Sequence, residues 1–334
     1  MISFKEYLSE AKSNAAHISA KDNTAIATAG EHLVTHHLLT HAADNHPDQK
    51  HAEHLRNKAA EHLAAANKHL HGIDSGVVAD AHGRAKAGAD HFLKHHADAG
   101  TIHDVHHTAK AGDVTRVTGV KTNQTDDPAD MVVHFKKKDG QDYHRGISYK
   151  HNKSNTLGTP GLGNIDSRFG TKLQAMHTEF QNSLKSKFGA ETTANKAKRK
   201  ELAASSPEAN EMAKKFAEKA ADHYHGAFNG ASHEHKSAHL KELFKANSKI
   251  HTDTLKVKGT GGAYSSELHS HEDNKLHKAI NDAHHFSSER VGSTVHYYAH
   301  DKDGKKTKLG FSEHRFTHGG FTSFGSPTHS AKIK

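Results

Sequence analysis

Apolar residues are sparse along this chain and gather into a few short stripes. In the opening MISFKEYLSEA, Ile2, Phe4, Tyr7 and Leu8 sit among Lys, Ser and Glu at the spacing of a short amphipathic helix. Ile26, Ala29, Leu33 and Leu38 fall on or near one face of a second helix, predicted from Ala25 to about Thr40 with Asn23 and Thr24 as capping residues. From Asp48 to His96 the stripe thins to Leu55, Leu63 and Leu70, flanked by His54, Glu61, His62 and His69. That pattern predicts a helical hairpin or a pair of hairpins with a small core. The phrases HAEHLRN and AAEHLAA are alike, but no repeat period is sustained.

The pattern changes at about Thr108. DVTRVTGVKT, then DMVVHFKKKDGQDYHRGISYKHN, are rich in Val and Thr, and Asp139-Gly140 separates two strand-like runs, so a small β-meander is expected. KSNTLGTPGLGNIDSRFG reads as loop, followed by a helix from Gly170 to about Phe188 and a basic linker, ANKAKRK. Ser206-Pro207-Glu208 is a helix start with Ser as cap and Pro in the first turn, and Ser232 caps a further helix through Phe244. Short strand-like runs such as TVHYYA and a Gly-rich end follow Ile250.

Composition sharpens this picture. With 334 residues, two lobes or one domain with a large insertion are expected. Only 33% of residues are apolar and 6% aromatic, and Ala, Lys and 38 histidines take their place, so much of the chain is thinly packed helix. Lys and Arg exceed Asp and Glu by 46 to 38, a net charge of +8, which suits a polyanionic partner, nucleic acid first. Histidine protonation in mild acid or beside phosphate increases that charge. The absence of cysteine excludes disulfides and thiolate zinc sites. No apolar run approaches the roughly 20 residues of a membrane-spanning helix, and the N-terminus lacks the layout of a secretory signal. A soluble protein of a cytoplasm is expected, with no membrane partner.

The candidate chemistry lies in the strand region. Asp127-Pro128-Ala129-Asp130 opens one strand and Ser148-Tyr149-Lys150 closes the next, so an antiparallel hairpin brings Asp130 beside Lys150, with Ser148 and Lys150 on one face. A two-residue turn at Asp139-Gly140 pairs Asp130 with Tyr149, on the wrong face. A three-residue turn or a Gly bulge shifts the register by one and unites all three. Such a cluster serves phosphodiester hydrolysis: a carboxylate holds Mg²⁺, and a lysine orients or deprotonates water and stabilises developing charge. One carboxylate alone binds Mg²⁺ weakly, so a second acid is needed.

Pro128-Ala129-Asp130, then Ser148-Tyr149-Lys150 eighteen residues after Asp130, together with Gly30-Glu31 in TAGEHLVTHHLL, resemble the PD-(D/E)XK nuclease superfamily. The resemblance implies an α/β (α+β) fold with a restriction-endonuclease-like α-β-β-β-α-β core, carrying a His-rich helical insertion at about residues 41–107. The core with its insertion spans residues 11–190, and the mixed helical and β part from 191 to 334 is a candidate to complete it. It implies Asp130 as principal metal ligand, Glu31 as helix acid, Lys150 as catalytic lysine and Mg²⁺ as cofactor, with Mn²⁺ as substitute. Ser148 stands where the family usually has Glu, Asp or Gln, and a hydroxyl is a poor Mg²⁺ ligand. In this reading Lys153, Asn155, Arg168 and Lys172 are the candidate contacts to nucleic acid, DNA first.

The histidine spacing singles out no zinc site. Pairs such as His51/His54, His233/His235 and His269/His271 are present without an HExxH pattern, so the histidines are expected to form a titratable surface compatible with nucleic acid. GTPGLGN lacks the Gly-Lys-Ser/Thr of a phosphate-binding P-loop. The N-terminal MISFKEYLSEA resembles the capsid-targeting peptides of internal head proteins in T-even-type phages. That likeness implies cleavage between Glu10 and Ala11 by a prohead protease, with Leu8 and Glu10 as recognition residues, and a location in the host cytoplasm or the virion interior. The competing expectations are a non-catalytic, basic DNA-binding internal or structural phage protein and a histidine-rich metal-binding protein.

Overall fold

Pro47 and Asp48 set the first structural boundary. The residue before a proline is pushed out of helical conformation, so the first helix, α1 (Ala20–Asn45), stops just ahead of His46. Asp48 then caps α2 (Gln49–Leu70), its Oδ1 accepting the Lys50 and His51 N–H groups at 2.9 and 3.2 Å. Asp74 caps α3 (Ser75–His95) in the same way. Of the one hairpin or two expected from Asp48 to His96, a single one, α2 and α3, is therefore present, while α1 extends beyond the expected Ala25–Thr40 at both ends. Asn23 and Thr24 lie inside α1 on its exposed side, and Ala42 and Ala43 bury its last turns.

The computed structural model describes residues 20–110, 112–122, 127–151, 161–271, 275–316 and 327–332. The expected helix at 2–9, the processing residues Leu8, Glu10 and Ala11, and the loop residues Lys153 and Asn155 lie outside them. The fold is mixed α/β, in two units: Met1–Ser154 with Ser248–Asp273, and Asn155–Asn247 with Asn274–Lys334. The division thus falls near residue 154 rather than 190, and the chain returns to the first unit at 248.

The first unit is built on a mixed five-stranded sheet in the order β1 (Thr101–His107), β2 (Met131–Lys136), β3 (Asp142–His151), β4 (Asp253–Thr260), β5 (Ala263–His269). Neighbours are antiparallel except β3 and β4, which are parallel. A parallel pair needs a long crossover, and here the chain between them runs through the helices of the second unit. On one face of the sheet, Leu33 and Leu38 of α1, Leu55 of α2 and Phe92 of α3 share a core with Val133 and Leu255.

Two elements differ from the sequence expectation. DVTRVTG forms no strand: α4 (Asp113–Thr118) sits between Gly112 and Gly119, both at positive φ, and buries Val114. The Thr115 hydroxyl, bonded to the Thr122 carbonyl and N–H at 3.0 and 3.2 Å, satisfies the backbone locally and overrides the β-branched pattern. The strand missed is β1, within the expected helical insertion. Its alternation is broken because Ile102 pairs with Phe135 and Asp104 with His134, leaving His103 as an extra, bulged residue.

In the second unit, α5 (Leu162–Phe169) occupies the expected loop and α6 (Leu173–Phe188) follows, with Asp166 accepting the Leu173 and Gln174 N–H groups at the head of α6. After α7 (Ala190–Thr193), Asn195 caps α8 (Lys196–Ser205), so the expected basic linker is largely helical. Then come α9 (Pro207–Gly230) and α10 (His233–Leu243), capped by Ser206 and Ser232 as their sequences require. α11 (Lys275–Asn281) leads to an antiparallel sheet, β6 (His285–Val291), β7 (Thr294–His300), β8 (Lys306–Phe316) and β9 (Pro327–Lys332).

Candidate active site

The β2–β3 connection fixes the register on which the candidate site depends. Gly140 N–H donates to the Lys137 carbonyl at 2.9 Å and Lys137 N–H to the Gln141 carbonyl at 2.9 Å, with Gly140 at φ 83°. This is a three-residue loop closed by a left-handed glycine. It pairs Lys136 with Asp142 and Met131 with Ile147, so one step further along Asp130 faces Ser148. Of the two registers the sequence left open, the structure adopts the one that unites Asp130, Ser148 and Lys150.

Asp127 and Asp130, three residues apart, have opposite environments. Asp127 is fully buried and accepts hydrogen bonds from the hydroxyls of Thr122, Ser248 and Thr252 and from the Lys249 and Ile250 N–H groups. It ties the strand entry to the segment leading into β4. Asp130 takes only the Tyr149 N–H (2.7 Å) and the Ser148 hydroxyl (3.4 Å), both on Oδ2, and its Oδ1 accepts nothing among the described residues.

Glu31 reaches the same end of the sheet from α1. Its helix comes close to β3 at Gly30, where an added Cβ would lie 2.5 Å from the Tyr149 ring. Only glycine permits that approach, and the next residue, Glu31, is carried to the sheet end. Glu31 Oε2 pairs with His107 Nε2 at 3.1 Å, and Oε1 has no partner among the described residues. Burial pushes the Asp130 carboxyl up to about 6; Lys150 opposes the rise, the Glu31 carboxylate adds to it, and the Tyr149 N–H and His107 oppose it. Two carboxylates held close enough to repel, each with an uncommitted oxygen, suit a hard divalent cation such as Mg²⁺ or Mn²⁺. Lys150, half-buried, forms no hydrogen bond or ion pair among the described residues.

Ser148, buried at 3% exposure, donates to Asp130 and so orients a carboxylate. That is a different role from the ligand its position in the motif suggests. Arg168 and Lys172 belong to the second unit. Arg168 is committed to Glu242 and His239, and Lys172 is exposed at the head of α6.

Two residues escaped the sequence reading. His107 is the last residue of the unrecognised β1, so nothing local marked it. Lys256 on β4 pairs in register with Lys150 on the same face, a like-charged neighbour brought in from 106 positions further along the sequence. It is 8% exposed, and its ammonium lies 3.8 Å from Glu267. Behind His107, His32 stacks at 4.3 Å and its Nδ1 meets His62 Nδ1 at 2.9 Å. Burial, reinforced by neighbouring imidazoles, lowers His32 and His62 to about 4, which keeps both neutral at pH 7.

Comparison with protein-family models, with curated proteins and with solved structures finds no match. No helix among the described residues is long and apolar enough to cross a membrane.

Proposed function

We propose that the first unit hydrolyses phosphodiester bonds in nucleic acid, DNA first, as a metal-dependent nuclease of the PD-(D/E)XK type. The observation that carries this reading is the convergence of Glu31 and Lys150 on Asp130 at one end of a mixed sheet, with an uncommitted oxygen on each carboxylate and no ion pair to Lys150 among the described residues. The succession α1, three antiparallel strands, a helical crossover and a fourth strand parallel to the third supports a restriction-endonuclease-like core, with α2 and α3 inserted and β5 added.

Asp130 and Glu31 would hold the divalent cation, which would neutralise the scissile phosphate and make water a better nucleophile. Ser148 and the Tyr149 N–H fix the Asp130 carboxylate. Lys150 positions the attacking water and sets its positive charge against the charge that accumulates on phosphate. Lys256 beside it adds a second cation to the face; like charges side by side in a sheet repel, and a bound polyanion relieves that repulsion. His107 holds Glu31 in place.

The test is incubation of the purified chain with plasmid and oligonucleotide DNA and Mg²⁺, with Asp130→Asn and Lys150→Ala in parallel. Cleavage by the wild type alone is the expected result. Equal activity in all three, or none in any, removes the proposal. Binding that weakens steeply with salt, without cleavage or metal dependence, points to the non-catalytic DNA-binding protein.

A further inference from the structure

His46, His51 and His103 come from three different elements and meet beside the β1 edge of the first sheet. His46 occupies the α1–α2 turn forced by Pro47, His51 the first turn of α2, and His103 the bulge of β1 that breaks the strand's alternation. One imidazole nitrogen from each lies within 4.8 Å of the other two. The His51 ring centroid is 4.3 Å from that of His46 and 4.3 Å from that of His103. All three residues are half-buried. Histidines meet elsewhere as well, as in the stacked pairs His251/His271 and His285/His300, but this is the one group of three among the described residues with the reach to hold an ion.

We propose that His46, His51 and His103 form a site for a borderline-soft divalent metal ion, with Zn²⁺ the best match. The donor set is nitrogen alone, and imidazole suits Zn²⁺, Ni²⁺ and Cu²⁺ where Mg²⁺ requires oxygen. The site is therefore chemically distinct from the Asp130/Glu31 pair and stands whether or not that pair is catalytic.

The surroundings already orient one of the ligands. His51 Nε2 lies 2.8 Å from the His103 carbonyl oxygen. Donation there places the proton on Nε2 and leaves Nδ1 as the ligand atom, the backbone anchor that ligating histidines commonly have. His46 Nδ1 accepts the Asp48 N–H at 3.1 Å and lies 3.2 Å from the Asp48 carbonyl oxygen. To bind a metal through Nε2, His46 gives up the first contact and carries its proton on Nδ1, donating to that carbonyl oxygen. Asp48, which caps α2, also keeps a negative carboxylate beside the turn to offset added positive charge.

Tetrahedral Zn²⁺ with its usual bond lengths holds ligand nitrogens roughly 3.4 Å apart. The observed separations close to that by turns of the rings. The stacked rings of His51 and His103 must turn relative to each other, because a metal lies in the plane of each ring it binds. A water completes the coordination, and His134, whose ring is 5.1 Å from that of His103, is the nearest alternative on the sheet.

The experiment is a titration of the full chain with Zn²⁺ alone, followed by calorimetry and by long-range ¹H–¹⁵N spectra of the imidazoles. The first equivalent is expected to shift His46, His51 and His103 before any other histidine, with His51 bound through Nδ1. Losing an outer-sphere partner costs a metal site about 10–100-fold in affinity, so His46→Gln, His51→Gln or His103→Gln should each cost at least that. The exposed pair variant His233→Gln/His235→Gln should retain the tight site. A first equivalent that shifts other histidines in the wild-type chain and leaves these three unmoved overturns the proposal, however the variants fold. Tight binding retained by the folded triple variant overturns it equally.

Discussion

In the second unit, the Tyr224 hydroxyl meets His239 Nε2 at 2.9 Å, Tyr297 meets Tyr224 at 2.9 Å and Ser312 at 2.6 Å, and Arg168 links His239 to Glu242. In the first unit, Asp130 stands near both Glu31 and Lys150, and each carboxylate keeps an oxygen that no other described residue engages. Both are clusters of polar groups drawn in from distant sequence positions. The closed network satisfies its own members, so it serves stability. The open cluster leaves charge uncompensated, which costs stability and gives a ligand something to bind.

The largest expected effect comes from emptying the open cluster. Asp130→Asn or Lys150→Ala should lower DNA cleavage by about 10²–10³-fold, measured as initial rates on plasmid in Mg²⁺. Variants of Tyr224 in the closed network should leave that rate within about twofold of wild type, since catalytic losses of 10²-fold or more belong to groups that act on the reacting atoms. A comparable fall in rate for a folded Tyr224→Phe protein would erase the contrast between the clusters.

Acid should affect both units. Burial holds His239 and His314 down to about 3 in the second unit, and His32, His37 and His62 down to about 4 in the first. The unfolded chain takes up protons at the ordinary histidine value of 6.5 while the folded chain resists. The stability these groups contribute is therefore complete above pH 6.5 and is lost as pH falls from there toward 4 and 3. Each such histidine contributes a slope of about 1.4 kcal/mol per pH unit in that window, readable by urea melts at successive pH values.

Gly30→Ala should cost about 1–3 kcal/mol as an overpacking change, because the new methyl meets the Tyr149 ring at the point that sets the distance between α1 and β3. Cleavage should fall with it, through displacement of Glu31. A stability loss with unchanged activity would separate Glu31 from the site.

Asp130→Asn should act in the opposite direction on stability, by about 1–2 kcal/mol at pH 7. The folded carboxyl holds its proton up to about 6 against an ordinary 3.8, so the wild type loses stability as pH rises between those values and does not recover it above. The variant escapes that loss, and its advantage in thermal melts should vanish below pH 4 or when Mg²⁺ fills the wild-type site. A variant less stable than wild type at pH 7 would place Asp130 with the closed networks.

The sequence determined much of this on its own. Capping chemistry is local, so Ser206-Pro207 and Ser232 mark the starts of α9 and α10 as read. The leucine stripe gave the helical hairpin, and the spacing of Asp130, Ser148 and Lys150 gave the residues of the candidate site. Its two possible registers were legible too, because strand alternation and turn length are counted along the chain.

What only the tertiary structure decided depends on contacts between distant segments. Which register forms was settled by the loop closed at Gly140. The strand β1 was hidden because a bulge spoils period two, and His107 with it. DVTRVTG became a helix because its threonine hydroxyls and flanking glycines outweigh a strand propensity that has meaning only beside a partner strand. Ser148 proved to be a donor to Asp130, Lys256 a neighbour of Lys150, and three scattered histidines one cluster, since spacing along a chain carries no information about which loop or bulge will bring two positions together.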